Sequence, residues 1–156
     1  MELLVISDTH GNLASALHAH SLSAQIDVVI HLGDGFSDAD LMRELIDEPV
    51  ISIAGNCDLG SSAPRELLWE CEGKRILLTH GDAYGVKSGL DRLRRRAQEV
   101  RADLVLFGHS HLATQELHSD IMLLNPGTMM DGALLKSYAI VDVSAFGITA
   151  RLRQIS

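Results

Sequence analysis

Seven side chains able to hold a metal ion recur at one kind of place in this sequence, just after a short apolar run. Asp8 and His10 follow residues 3–6 in Ser-Asp-Thr-His-Gly, and Asp34 follows 28–30 in His-Leu-Gly-Asp. Asn56 follows 50–53 in Ala-Gly-Asn-Cys-Asp, and His80 follows 76–78 in Thr-His-Gly-Asp. His109 and His111 follow 104–107 in Phe-Gly-His-Ser-His. Mixed oxygen and imidazole donors without a thiolate suit Mn²⁺, Fe²⁺, Ni²⁺ or Zn²⁺ better than Ca²⁺ or Mg²⁺. One cation that keeps positions open for a ligand does not need seven protein donors. Two cations sharing a carboxylate do, and Asp34, central in the order and alone in its motif, is the natural bridge. Gly11, Gly33, Gly55, Gly81 and Gly108 stand beside these residues, where sharp turns and close backbone approach are expected.

The elements that must position this set can be read from the apolar runs. Each run is rich in Val, Ile or Leu and has the length of a buried strand. Helical patterns separate several of them. Leu13 and Leu17 share a face; Ser37 and Asp40 form a capping box before Leu41, Leu45 and Ile46; Ser88 and Asp91 do the same for the stripe Leu90, Leu93, Ala97 and Val100. Strands alternating with helices predict βαβ units and a largely parallel sheet. Such sheets bind ligands beyond the carboxyl ends of their strands, so all seven groups are expected along one sheet edge. The later chain reads differently. Residues 66–71 and 74–79 form a hairpin about Glu72-Gly73, and 113–118, 121–124, 137–143 and 147–153 are strands with no helix between them. They predict a second, mostly antiparallel sheet. The expected fold class is α/β, a two-sheet αββα sandwich in one domain over residues 1–156.

Taken in order, Asp8-x-His10, Gly33-Asp34, Gly55-Asn56, His80 and Gly108-His109-Ser110-His111 resemble the calcineurin-like metallophosphoesterases. The short chain, with Asn56-Cys57-Asp58 and Asn125-Pro126-Gly127, is similar to the small YfcE-type phosphodiesterase branch. The resemblance implies that Asp8, His10 and His111 hold a first metal and Asn56, His80 and His109 a second, with Asp34 shared. Manganese is the favoured ion, with nickel, iron and zinc as alternatives. A hydroxide bridging the two ions would attack the phosphorus of a small phosphoester in line. Asp34, Asn56, Cys57 and His109 are the residues expected at the reacting phosphate. Cys57 occupies a place where many relatives carry a histidine that meets the substrate and protonates the leaving group. A thiol is a poorer proton donor at neutral pH, so weaker action on poor leaving groups and a preference for diesters over monoesters are expected. The alternative is a catalytically weak scaffold: relatives in membrane-trafficking coats keep the sandwich and lose catalytic residues. Cys57 points toward that reading, and retention of all seven ligand types points away from it.

Composition bounds the remaining choices. The chain has 156 residues, 13 Lys and Arg against 21 Asp and Glu, and a net charge of −8 with 8 His counted neutral. Its 46% apolar and 22% charged residues are those of a globular protein, and the acidic balance argues against a general nucleic-acid binder. Two cysteines, Cys57 and a structural Cys71, fit a reducing cytoplasm, and the N-terminus predicts neither a signal peptide nor a membrane span. Family members are often homo-oligomers, although no feature here fixes the state. His18, His20 and His118 are expected to face solvent. His31 reads as a packed strand-end residue, with support of Asp34 as the alternative. Asp58 and Asp82 read as solvated turns ahead of supporting carboxylates. Asn125-Pro126-Gly127 reads first as a turn, and by the resemblance it borders the substrate. Arg92, Arg94, Arg95 and Arg96 read as a solvated helix face, and Met122, Met129 and Met130 as core or interface filler.

Overall fold

Strand parity divides the apolar residues of this chain among layers. In the computed structural model, which describes residues 1–156, β1 (Glu2–Ile6) sends Leu3 and Val5 to one face and Leu4 and Ile6 to the other, all fully buried. Leu3 and Val5 meet Ile76, Leu78, Leu104 and Leu106 of the opposing sheet. Leu4 and Ile6 pack with Ala16 and Ala19 of α1 (Leu13–Leu22) and Met42 of α2 (Phe36–Leu45). A strand covered on both faces is why the runs are continuous and not alternating.

The first sheet has the order β10-β9-β1-β2-β3, with β2 (Val28–His31) and β3 (Val50–Ser52) parallel to β1. The second has the order β4-β5-β6-β8-β7, built from β4 (Glu66–Cys71), β5 (Lys74–Thr79), β6 (Leu104–Leu106), β7 (Thr114–His118) and β8 (Ile121–Asn125). Leu77, Val105 and Phe107 of this sheet pack on Leu93 and Ala97 of α3 (Asp91–Glu99). Two sheets face to face with helices outside make an αββα sandwich, as expected. No helix is long and apolar enough to cross a membrane.

Two expectations need correction. The strands β9 (Lys136–Ser144) and β10 (Gly147–Ile155) belong to the first sheet, where β9 runs antiparallel to β1 with Leu3 opposite Val141. β9 puts Ala139, Val141 and Val143 between the sheets and Tyr138 and Ile140 toward the helices, so it needs the two-sided cover of an interior position. The second sheet is accordingly mixed, with β5–β6 and β6–β8 parallel and only its edge pairs antiparallel. Neither capping box forms. α2 starts earlier, after Gly35, and α3 starts after Leu90, both without a side-chain cap. The side chain that caps is Asn12, whose Oδ1 accepts from Ser15 N–H at 3.2 Å.

Candidate metal centre

The metal-capable residues gather not along one sheet edge, as expected, but at one end of the sandwich from both sheets: Asp8, His10, Asp34 and Asn56 follow β1, β2 and β3, and His80, His109 and His111 follow β5 and β6. Backbone hydrogen bonds stitch the loops together. Asp8 N–H donates to the Gly33 carbonyl and His10 N–H to the Asp34 carbonyl, both at 3.0 Å. Across the sheets, His109 N–H donates to Asp8 Oδ2 at 3.0 Å, and Gly108 N–H donates to the His80 carbonyl at 2.9 Å. These turns demand unusual backbone at the functional side chains themselves. Asp8, His10, Asp34, His109 and His111 have φ between 44° and 69° and are five of the nine non-glycine residues with positive φ. Left-handed backbone at such residues costs on the order of 1–3 kcal/mol each and collects at functional sites. Glycine is needed beside them for room. A Cβ on Gly55 would lie 2.1 Å from Asp34 Oδ1, and one on Gly108 2.1 Å from Ser7 Oγ.

Around Asp8 and Asp34 the imidazoles converge. His111 Nε2 lies 3.2 Å from Asp8 Oδ1, and His10 Nε2 is 3.8 Å from both Asp8 Oδ1 and Asp34 Oδ2. His80 Nε2 is 3.2 Å from Asp34 Oδ2 and 3.8 Å from Asp8 Oδ1, and it faces His109 Nδ1 at 3.2 Å. Two triplets, Asp8–His10–His111 and Asp34–His80–His109, each bring their donor atoms within 4.8 Å of one another, and Asp34 also forms such a group with His10 and Cys57. His80 Nδ1 donates to the Leu32 carbonyl at 2.7 Å, which orients the ring and turns Nε2 toward Asp34 Oδ2. Asp8 Oδ2 accepts from Ser7 Oγ at 2.5 Å as well as from His109, whereas Asp8 Oδ1 is buried with no hydrogen-bond partner. An orphaned buried carboxylate oxygen is costly, and a cation at that point would satisfy it. The donor set therefore fits divalent metal ions.

Electrostatics agree with that fit. Burial opposes ionisation of Asp34, yet His80 and the Cys57 N–H at 2.8 Å outweigh it and hold the carboxyl well below its usual range. Burial also disfavours charge on His80, but Asp34 and Asp8 outweigh it and raise that ring. His109 is lowered, first by burial and then by the neighbouring His80. Burial, followed by the charge of Asp34, raises the Cys57 thiol. Cys57 is exposed beside Asp34 and His10; Asn56, on the same loop, is also exposed and donates through Nδ2 to Cys57 Sγ at 3.6 Å.

Several residues outside the ligand set support the centre, Thr128 and Asp38 without having been singled out in the sequence. Asp58, expected as a solvated turn, is instead buried and accepts from the N–H groups of Asp34, Gly35, Phe36 and Gly55 at 2.7–3.1 Å. Asn125 is more than a turn residue: its Nδ2 donates to the Gly108 carbonyl and to Ser110 Oγ, bracing the turn that carries His109. Thr128 Oγ1 donates to the Asp8 carbonyl. Asp38 Oδ2 accepts from Thr9 Oγ1 and Gly11 N–H, the two neighbours of His10. His31 is fully buried, its Nε2 2.9 Å from Thr9 Oγ1 and its Nδ1 accepting from Gly33 N–H.

Outside the centre, His18 is exposed, His20 pairs with Glu48 at 2.9 Å, and Asp82 pairs with Arg65 at 2.5 Å. The arginine helix is largely self-neutralised: Arg94 pairs with Glu116 and Asp91, and Arg96 with Glu66 and Glu99.

Residues 1–145 match the calcineurin-like phosphoesterase superfamily domain. The probable metallophosphoesterase YsnB of Bacillus subtilis (strain 168) is 35% identical over 97% of this chain and 89% of that protein. The phosphodiesterase YfcE of Escherichia coli (strain K12) is 29% identical over 96% of this chain and 92% of that one. Among solved structures, Vps29 of Chaetomium thermophilum superposes with a TM-score of 0.83 at 21% identity, over 100% of this chain and 89% of its own, a likeness of fold. With its motifs in order at the strand ends of a two-sheet sandwich and nearly its whole length matched, this chain belongs to the calcineurin-like phosphoesterase superfamily.

Proposed function

We propose that this protein is a dinuclear metal-dependent phosphodiesterase. The observation that carries the reading is the unpartnered Asp8 Oδ1, buried with His111, His10 and His80 nitrogens 3.2–3.8 Å away. Asp8, His10 and His111 hold one ion, and His80, His109 and Asn56 the other. Asp34 serves both, since its Oδ2 stands between His10 and His80. When bound, the two cations supply Lewis acidity and a water of lowered pKa at the phosphorus. The chain's own part is orientation. The Leu32 carbonyl holds the His80 ring, Asp58 holds the turn of Asp34, and Asn125 holds the turn of His109. Cys57 offers a thiol, not an imidazolium, to a departing oxygen, which favours diesters with good leaving groups.

The test is to load metal-free protein separately with manganese, nickel, iron and zinc and assay bis-aryl and mono-aryl phosphates. Faster diester hydrolysis is expected, steeply dependent on leaving-group pKa and abolished by Asp8→Ala. A second reading, a scaffold, draws on the likeness to Vps29 and on exposed leucines near the centre. It wins if no activated diester is hydrolysed by any metal form while Asp34→Asn leaves partner binding intact.

A further inference from the structure

A cavity of about 1000 Å³ opens beside the metal centre, between the turn after β6, the 129–135 connection and the end of β10. His111, the imidazole whose Nε2 faces Asp8 Oδ1 at 3.2 Å, is among its lining residues. Thr128, Ser137, Arg153 and Gln154 also line it, but its larger apolar side chains include Leu112, Met130, Leu134 and Leu135, with the three leucines 68%, 101% and 63% exposed. No Asp or Glu lines it, although the chain carries a net charge of −8, and its one cationic side chain, Arg153, enters no ion pair. The cavity therefore does not repel an anion.

The connection that presents these leucines is held at its base. Thr128 Oγ1 donates to the Asp8 carbonyl and accepts from Met130 N–H at 3.0 Å. Asn12 Nδ2 donates to the Met129 carbonyl at 2.8 Å and to Asp131 Oδ1 at 3.0 Å, and Lys136 pairs with Asp131 at 3.5 Å. Leucines are thus displayed to water by a segment anchored to the backbone of a proposed metal ligand. Apolar surface in a concave site of this size, converging on a polar centre, is the usual form of a small-molecule pocket.

We infer that this cavity binds an apolar arm of the ester, so that the substrate class is amphiphilic phosphodiesters. The phosphate lies at the ions, and an alkyl or aryl group lies against Leu112, Leu134 and Leu135. The identity of the polar part rests on the phosphodiesterase reading; the apolar site does not. A concave cleft that runs up to His111 suits a chain or ring entering from the metal centre better than the face of a second copy.

The test uses methyl, butyl and hexyl members of two probe series, all below micelle formation. Alkyl methylphosphonates, which carry no activated leaving group, report binding by calorimetry, and alkyl 4-nitrophenyl phosphates report turnover, both on manganese-loaded protein. Affinity and kcat/KM are expected to rise about twofold per methylene, against about fourfold for complete burial, because one side of the cleft stays open to water. The double variant Leu134→Ser/Leu135→Ser should flatten both series. A flat series in the wild type, or a slope that survives the double variant, overturns the inference. Chain-length-dependent binding without hydrolysis of any ester leaves the apolar site standing and removes the phosphodiesterase reading; a flat series with brisk methyl-ester turnover does the reverse. If light scattering shows a dimer that the double variant dissolves, and the series is flat, the leucines serve a second copy and the inference falls.

Discussion

Asp58 shows how a residue outside the ligand set can govern it. Its two oxygens accept four backbone N–H groups, including that of Asp34 at 2.7 Å and those of Gly35 and Phe36 at the start of α2. Asp58→Asn replaces one acceptor oxygen with an NH₂ that must face N–H donors. The expected cost is about 3 kcal/mol in urea unfolding, with manganese affinity lower by about 10–100-fold in a calorimetric titration. Unchanged affinity would remove the positioning role. His31 gives a second prediction. Burial lowers its pKa from 6.5 to about 4, against the opposing pull of Asp38, Asp58 and Asp8. Below pH 6.5 the unfolded chain takes up a proton that the folded ring refuses until about pH 4, so stability falls as pH drops through that window. The contribution is about 3 kcal/mol. Chelated wild type and His31→Gln, unfolded at pH 7 and pH 4.5, should differ in slope, with the variant losing less. The clustering of Asp8, His10, Asp34, His80, His109 and His111 was legible because these residues follow apolar runs. The full role of Asp58 was not, because an Asp after Gly-Asn-Cys has the composition of any turn and three of its four donors lie more than twenty residues away.

Elements carry a second level of organisation, in which α3 is clamped to the second sheet by residues outside the ligand set. Glu66 of β4 accepts from the Tyr84 hydroxyl and from Arg96 Nη2 of α3, the latter at 2.7 Å. Burial works against ionisation of Glu66, but Arg96 and Tyr84 outweigh it and keep the carboxyl below its usual range. Burial and Glu66 together push Tyr84 up to about 12. Because this clamp shares no residue with the metal centre, Glu66→Gln should lower stability by about 1–2 kcal/mol, an amount moderated by partial exposure, and leave manganese affinity unchanged. A thermal melt beside the same titration checks both halves, and a matching loss of affinity would show coupling the geometry does not contain. The strands themselves were readable, since runs such as residues 3–6 and 104–107 carry local burial in their composition. Sheet membership of β9 was not. It depends on pairing with β1, Leu3 opposite Val141, and nothing local encodes a partner so far along the chain. The capping boxes failed for a related reason: α2 takes its N-terminal acceptor from Asp58 in another loop, so Ser37 is not needed there.

At the scale of the whole molecule, the metal centre concentrates charge that folding alone does not neutralise. Two divalent cations would offset about half of the net charge of −8, at the point where an anionic ester must approach. Five strained backbones and one orphaned carboxylate oxygen are costs of the fold that metal binding there would offset. Mass action sets the scale: each site filled at about 100 times its Kd adds about 2.7 kcal/mol, so chelation should lower the melting temperature and manganese should restore it. Asp8→Asn separates the two contributions. The amide oxygen can keep the donors now at Asp8 Oδ2, from Ser7 and His109, while its NH₂ takes the place of the unpartnered Oδ1 and donates toward His111 Nε2. In the presence of chelator this variant should be more stable than the wild type by about 1–3 kcal/mol, since a buried, unpartnered carboxylate charge is gone. On addition of manganese it should gain little, so that the order of stability reverses. Differential scanning calorimetry of both proteins, with chelator and with manganese, reads the crossing directly. Parallel shifts in the two proteins would mean that Asp8 is held in place by the fold alone and that the ions bind elsewhere.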